Sequence, residues 1–267
     1  MRRTLFTRRW MTAFAAATVF FVVCLYLGRW QWGRHEDRSA FAEAVATNYA
    51  APTHQLDAVL PAGSSLPDQR LWSRVTVTGS YAADAQQLVR NRPQKVTYGY
   101  EVLVPLRLDD GSALLVDRGW VKNAETADTL PTVPAAPAGR VTVTGWLRQG
   151  EESLGRNLPR GQLASINLDE AAAAMGQRLR PAYLVLQSED DGTGREPARP
   201  KPLLPPDTDT GPHLAYAVQW WTGSLVGFVI VAVYLRRELR DQAIAAGTRA
   251  APVPKPKRTR IWDEEDE

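Results

Sequence analysis

Two long apolar runs, one near each end of the chain, bracket a polar middle in which hydrophobic positions alternate. Residues 10–28 carry no charge and approach the roughly 20 apolar residues needed to cross a bilayer core of about 30 Å. Bulky Leu25, Tyr26 and Leu27 lead into Arg29 and Trp30 rather than into a small-residue cleavage site, so the run reads as a retained anchor and not a signal peptide. A second run, residues 213–235, is too long and evenly apolar for a surface helix and stops at Arg236 and Arg237.

Between the spans the period changes. Arg74-Val75-Thr76-Val77-Thr78-Gly79 recurs as Arg140-Val141-Thr142-Val143-Thr144-Gly145, and alternating valine and threonine mark half-buried strands. Tyr98, Tyr100, Val102, Val104, Leu106 and Leu108 alternate towards a turn at Asp109-Asp110-Gly111-Ser112, and residues 113–121 return. A symmetric hairpin sets Leu103 opposite Arg118 and Glu101 opposite Trp120, with Arg118 diagonal to Glu101. Further strands are expected at 86–90 and 182–187, and helices at 39–47 and 168–175. Short, mostly consecutive strands predict a mainly antiparallel barrel- or sandwich-like domain with one or two short helices, flanked by two transmembrane helices.

Charge then orients this scaffold. Arg2, Arg3, Arg8 and Arg9 precede the first span, while Arg236, Arg237, Arg240, Arg249, Lys255, Lys257, Arg258 and Arg260 follow the second. The positive-inside tendency places both termini in the cytoplasm. The expected organisation is a cytoplasmic basic N-terminus (1–9), a first span (10–28), an extracytoplasmic strand-rich domain (29–212) with a Pro-rich linker at 188–212, a second span (213–235) and a cytoplasmic tail (236–267). That tail is basic and then acidic, and is expected to be disordered. The net charge of +3 sums a basic juxtamembrane tail with a nearly balanced domain, which suits anionic membrane lipid and not nucleic acid. The single cysteine, Cys24, lies inside the first span, so no thiol pair exists to bind copper or exchange electrons.

Aromatic clusters at the outer mouths of the two spans hold the candidate chemistry. Setting the spans antiparallel brings His213 level with Trp32, about one turn from Trp30, Gln31 and Arg34. As a neutral imidazole His213 can ligate a metal such as a heme iron, or simply satisfy the start of its own helix. His213, Ala217, Trp220 and Ser224 share one helical face, with small residues leaving room for a flat ligand. Tyr216 and Trp221 belong to an interfacial aromatic belt, and Gly223 and Gly227 offer a close-packing face towards Ala17 and Thr18. Arg118 either pairs with Glu101 or presents its guanidinium to a carboxylate. His35 and His54 have no partners at metal-site spacing and read as solvated. No phosphate-binding loop, HExxH or Ser-His-Asp arrangement is apparent, so an enzyme is not expected.

At these residues the chain resembles the Surfeit locus protein 1 family, the membrane-bound assembly factors of cytochrome c oxidase. The likeness runs through Leu27, Gly28, Trp30, Gln31 and Arg34; Asn91, Arg92, Gly99 and Tyr100; residues 115–121; and His213, Tyr216, Ala217 and Trp220. It implies a protein that helps mature the catalytic subunit of a heme-copper oxidase, binding or delivering heme a transiently, with heme a synthase as a further partner. His213 is then the candidate iron ligand, Trp30, Tyr216 and Trp220 line the porphyrin, and Arg34 or Arg118 meets the propionates, with Gln31 beside them. A scaffold that holds an oxidase subunit without touching a cofactor is the alternative. Arginine far exceeds lysine and alanine is abundant, as expected of a GC-rich bacterial genome, which points to a bacterial plasma membrane.

Overall fold

A computed structural model describes residues 6–126, 129–194 and 197–250. The basic residues 255–260 and the acidic run 263–267 lie outside them. The chain forms two compact units, residues 1–37 with 211–267, and residues 38–210.

The first unit is a helix pair. Helix α1 (Arg8–Asn48) runs unbroken for 41 residues, joining the expected first span to the expected helix at 39–47, because no proline or strong breaker separates them. Helices α4 (His213–Gly223) and α5 (Val226–Ala245) form the second arm. Ser224 and Leu225 between them keep right-handed helical backbone, and the Ser224 hydroxyl donates to Trp221 O at 2.6 Å, a local bond that competes with the helical ladder.

The arms meet along a seam spaced at sevens. Trp10, Ala17 and Cys24 are buried on α1, facing Ala217, Ser224 and Val231. A seven-residue repeat of mostly small side chains lets two antiparallel helices approach closely. A Cβ on Gly227 would sit 3.3 Å from Ala17 Cβ, whereas one on Gly223 would meet nothing. Only half of the expected glycine face is therefore used. Ala17→Cys with Gly227→Cys, in a Cys24→Ser background, should oxidise readily to a disulfide, since the spacing approaches the roughly 3.5–4.5 Å between bridged Cβ atoms. Failure to cross-link on a non-reducing gel would reject this seam.

Outward from the seam, Val19, Val22, Tyr26, Val229 and Ile230 are exposed. Both arms are long and apolar enough to cross a membrane, and so much apolar surface is unsuited to water.

The second unit is a mixed sheet with β1 (His54–Gln55), β2 (Arg74–Tyr81), β3 (Gln87–Gln94), β4 (Thr97–Arg107), β5 (Ala113–Lys122), β6 (Arg140–Arg148), β7 (Gln162–Leu163) and β8 (Leu179–Asp190). Its short helices are α2 (Leu56–Val59) and α3 (Leu168–Met175). Strands β2, β6, β8, β5 and β4 pair in that order, and β4 returns to β2 through Ser80 and Tyr81 opposite Arg107 and Leu106. Closing the ring protects strand edges. The repeated Val-Thr strings are the antiparallel neighbours β2 and β6, with Val77 opposite Val143. Val75, Leu106, Leu114, Val116, Val141, Val143 and Leu184 form one buried core.

Three pairings are parallel: β1–β2, β3–β7 and β5–β8. The other pairings, β2–β4, β2–β6, β3–β4, β4–β5 and β6–β8, are antiparallel. The expected antiparallel character thus holds in part within a mixed sheet, and β5–β8 departs from it because β8 returns beside β5 after a long crossover. Strand β8 also extends to Asp190, into the expected linker. Beyond it, Lys201 exchanges backbone hydrogen bonds with Trp120 at 2.7 and 2.9 Å, so part of the linker is tied to the sheet.

The hairpin register corrects the symmetric reading. Glu101 does face Trp120, but Leu103 faces Asp117 and not Arg118. A bulge inserts an extra residue into β5 between these pairs, with Gly119 at φ +129°. A Cβ on Gly119 would lie 2.5 Å from Lys201 O, so glycine meets both the backbone angle and the close approach.

Candidate functional site at the mouth of the helix pair

The outer end of the helix pair brings His213 and Gln31 together. Pro212 precedes the first turn of α4, and the His213 ring lies over Gly211, whose built Cβ would stand 3.5 Å from Nε2. His213 Nδ1 lies 2.9 Å from Gln31 Oε1. With the amide oxygen accepting, Nδ1 carries the proton and Nε2 keeps a free lone pair. A histidine that binds metal is commonly oriented through its other nitrogen in this way.

The aromatic residues divide between two flanks of the seam. On one flank Trp32 packs against Trp221 with ring centroids 5.7 Å apart, and Trp221 lies against Gly28, where a Cβ would be 2.2 Å from its Nε1. Trp221 is therefore a helix contact rather than only a belt residue. Helical periodicity puts Trp30 and Arg34 of α1, and Tyr216 and Trp220 of α4, on the other flank. Trp30 and Tyr216 are exposed, and the Arg34 guanidinium lies 6.0 Å from the Trp30 ring centre. The space expected beside Ala217 and Ser224 is filled by α1, since both are buried. Any flat ligand near His213 must lie on the open flank instead. His35 is not simply solvated: it packs edge-on to Trp32 and its Nδ1 is enclosed without a partner. His54 is exposed on β1.

Arg118 sits within the strand unit and is fully engaged. Its Nη2 and Nε donate to Glu189 Oε1 and Oε2 at 2.7 and 3.3 Å, and both side chains are wholly buried. Pro134 O and Ala198 O take further donors, and the Tyr81 hydroxyl donates to Glu189 at 2.9 Å. Burial and Glu189 both hold the Tyr81 phenol protonated far above its ordinary range, against the opposing pull of Arg118. The expected Arg118–Glu101 pair does not form because the bulge turns Arg118 away. Arg180 is a second buried arginine, missed by sequence reasoning; it bonds Asp57, Asp110, Ser112 and Leu60 O near the opposite end of β8. The signal was legible, since a lone cation in a strand of Ala182, Leu184 and Leu186 needs partners.

Glu101 instead meets Arg92 at 3.1 Å, and Arg92 also binds Glu151. Asp117 is buried beside them; one oxygen accepts from Gly119 N at 3.0 Å and the other has no partner. Burial first, and then the Glu101 charge, push the Asp117 carboxyl well above its ordinary range. Burial raises Glu101 too, with Arg92 opposing, whereas for Glu151 the bonds from Arg92 and Ile166 N overcome desolvation and lower it. A raised acid binds more protons folded than unfolded, so its contribution is full below about pH 4 and is lost as pH rises through the folded pKa. Glu151 has the opposite sign. Asp117→Asn should therefore flatten the loss of thermal stability of the detergent-solubilised protein above about pH 4. An unchanged slope in melts across that range would remove Asp117 as the source.

The SURF1 family profile matches residues 18–225. SURF1-like proteins of Mycobacterium bovis and Mycobacterium tuberculosis, both described as uncharacterized, are 31% identical over 239 residues, covering 86% of this chain and 85% of each relative. A SURF1-like protein of Rickettsia bellii is 21% identical over 234 residues, covering 86% of this chain and 93% of that protein. With the family profile matched over most of its length and relatives aligned over 86% of it, this chain belongs to the SURF1 family.

Proposed function

We propose that this protein is a membrane assembly factor for a heme-copper cytochrome c oxidase, holding heme a at the mouth of its helix pair and passing it to the catalytic subunit. The observation that carries this reading is the bond between Gln31 and His213, which leaves Nε2 available to iron beside an open flank bearing Trp30, Arg34, Tyr216 and Trp220. Heme when bound would supply the iron; the chain supplies the imidazole, aromatic surface and a guanidinium for a propionate. Arg118, spent on Glu189, is a poor candidate for the propionates. The family resemblance supplies the link to oxidase assembly, the arginine- and alanine-rich composition favours a bacterial plasma membrane, and the basic flanks favour both termini being cytoplasmic. Copper delivery lacks support, because Cys24 is the only cysteine and is buried in the seam.

The test is an absorption spectrum of the full-length protein purified from cells with and without heme a synthase. A heme a spectrum should appear only with the synthase and disappear in His213→Ala, which should also impair oxidase maturation. Gln31→Leu should lower heme occupancy about tenfold, the range for loss of a histidine-orienting partner. The filled seam at Ala217 and Ser224 favours a second reading, a scaffold that holds an oxidase subunit without heme. Oxidase co-purification that persists without heme a synthesis, together with normal maturation in His213→Ala, would establish that reading instead.

A further inference from the structure

The other end of the helix pair holds a basic concavity of about 390 Å³ that the heme reading does not use. Arg236, Arg237, Arg240 and Arg249 line it, with Leu239 and Ala243 between them. Three of these arginines follow one another along α5, but Arg249 arrives by a fold-back. Helix α5 ends at Ala245, Gly247 adopts φ +69°, and the backbone nitrogens of Thr248 and Arg249 both donate to Ala243 O at 3.0 and 3.2 Å. The Thr248 hydroxyl bonds the same carbonyl at 2.9 Å. This reversal sets a fourth guanidinium against the other three.

The carboxylates nearby leave most of that charge uncompensated. Glu238 is matched by Arg9 of α1 at 3.6 Å, and Asp241 pairs with Arg240 at 3.4 Å. Among the described residues no carboxylate pairs with Arg236, Arg237 or Arg249. Four like charges in one concavity repel each other unless an anion joins them. Above the arginines, α5 exposes Tyr234, Val233, Ile230 and Val229, and the Arg237 guanidinium lies 5.9 Å from the Tyr234 ring centre. Phosphate-binding groups thus stand at the foot of an apolar track.

We propose that this concavity is a binding site for the head group of an anionic phospholipid, with the phosphodiester held by Arg236, Arg237, Arg240 and Arg249 and an acyl chain lying along α5. Basic pockets at the membrane ends of helices take acidic lipids in this way. The apolar track above the arginines is what favours lipid over a free phosphate, since a free anion gains nothing from it.

Native mass spectrometry of the full-length protein in detergent tests the site, with phosphatidylglycerol and phosphatidylcholine as probes. The wild type should retain phosphatidylglycerol in preference. Replacing all four pocket arginines by glutamine should reduce that preference about tenfold or more. Gly247→Val, which removes no charge but cannot comfortably hold the left-handed turn, should reduce it in the same direction. Replacing Lys255, Lys257, Arg258 and Arg260 by glutamine removes equal charge and should leave the preference in place. An equal loss from the tail and pocket variants, no effect of Gly247→Val, or displacement of the lipid by an equal concentration of inorganic phosphate would each overturn the proposal.

Discussion

Arg118→Met is expected to destabilise the strand unit by about 3–5 kcal/mol, the usual result of leaving one partner of a buried ion pair uncompensated. Glu189 would then be a buried carboxylate with only the Tyr81 hydroxyl near it, and Pro134 O and Ala198 O would lose their donor. The pair itself need not be strongly stabilising, because desolvating both ions offsets most of their attraction. The double variant Arg118→Met/Glu189→Leu should accordingly recover much of the loss. Denaturant unfolding of the purified full-length protein followed by near-ultraviolet circular dichroism reads both values. A single variant costing less than about 1 kcal/mol, as an exposed pair would, is incompatible with the burial seen for this pair. Arg118→Lys should lie between, since one ammonium cannot reproduce the forked contact with both Glu189 oxygens.

Gly28→Leu is expected to open the mouth of the helix pair. The Trp221 indole occupies the place that a side chain on residue 28 requires, with Nε1 2.2 Å and Cδ1 2.4 Å from an ideal Cβ. Either Trp221 leaves its packing on Trp32 or α1 moves away from α4. Overpacking of this kind costs about 1–3 kcal/mol, but its effect on geometry is larger, because the same approach sets the distance from Gln31 to His213. The disulfide between cysteines at positions 17 and 227 should form more slowly in this variant, and the intrinsic tryptophan emission should shift. If heme a binds as proposed, its occupancy should fall nearly as far as in His213→Ala. Gly33→Leu is the control, since a Cβ there meets nothing within 4 Å. Equal effects from Gly28→Leu and Gly33→Leu would mean that the contact with Trp221 is not what holds the mouth.

Much of this architecture is written in local patterns. The apolar runs, the alternating strings of β2 and β6, and the helix Leu168–Met175 depend on periodicity, which needs no knowledge of distant partners. Depth matching of two antiparallel spans set His213 level with Trp32 and about a turn from Trp30, Gln31 and Arg34, one residue from the contact seen with Gln31, because helix rise is nearly constant. The fate of Arg118 was not legible. Its partner lies 71 residues away on β8, and the bulge that rotates it depends on Gly119 meeting the backbone of Lys201, a contact that no local pattern encodes.

By itself, then, the sequence determined two membrane-compatible helices, a strand-rich middle and the meeting of His213 with the Trp30, Gln31 and Arg34 cluster at one depth. Each follows from spacing along a regular element. That Gln31 is the residue bonded to His213 came from the structure. The tertiary structure alone decided that β8 lies between β6 and β5, that Glu189 rather than Glu101 takes Arg118, and that the Trp221 indole packs on Gly28. It also folded Arg249 back onto Arg236, Arg237 and Arg240. These outcomes rest on which surfaces exclude water from one another across long stretches of chain, and burial is a property of the assembled molecule rather than of any segment.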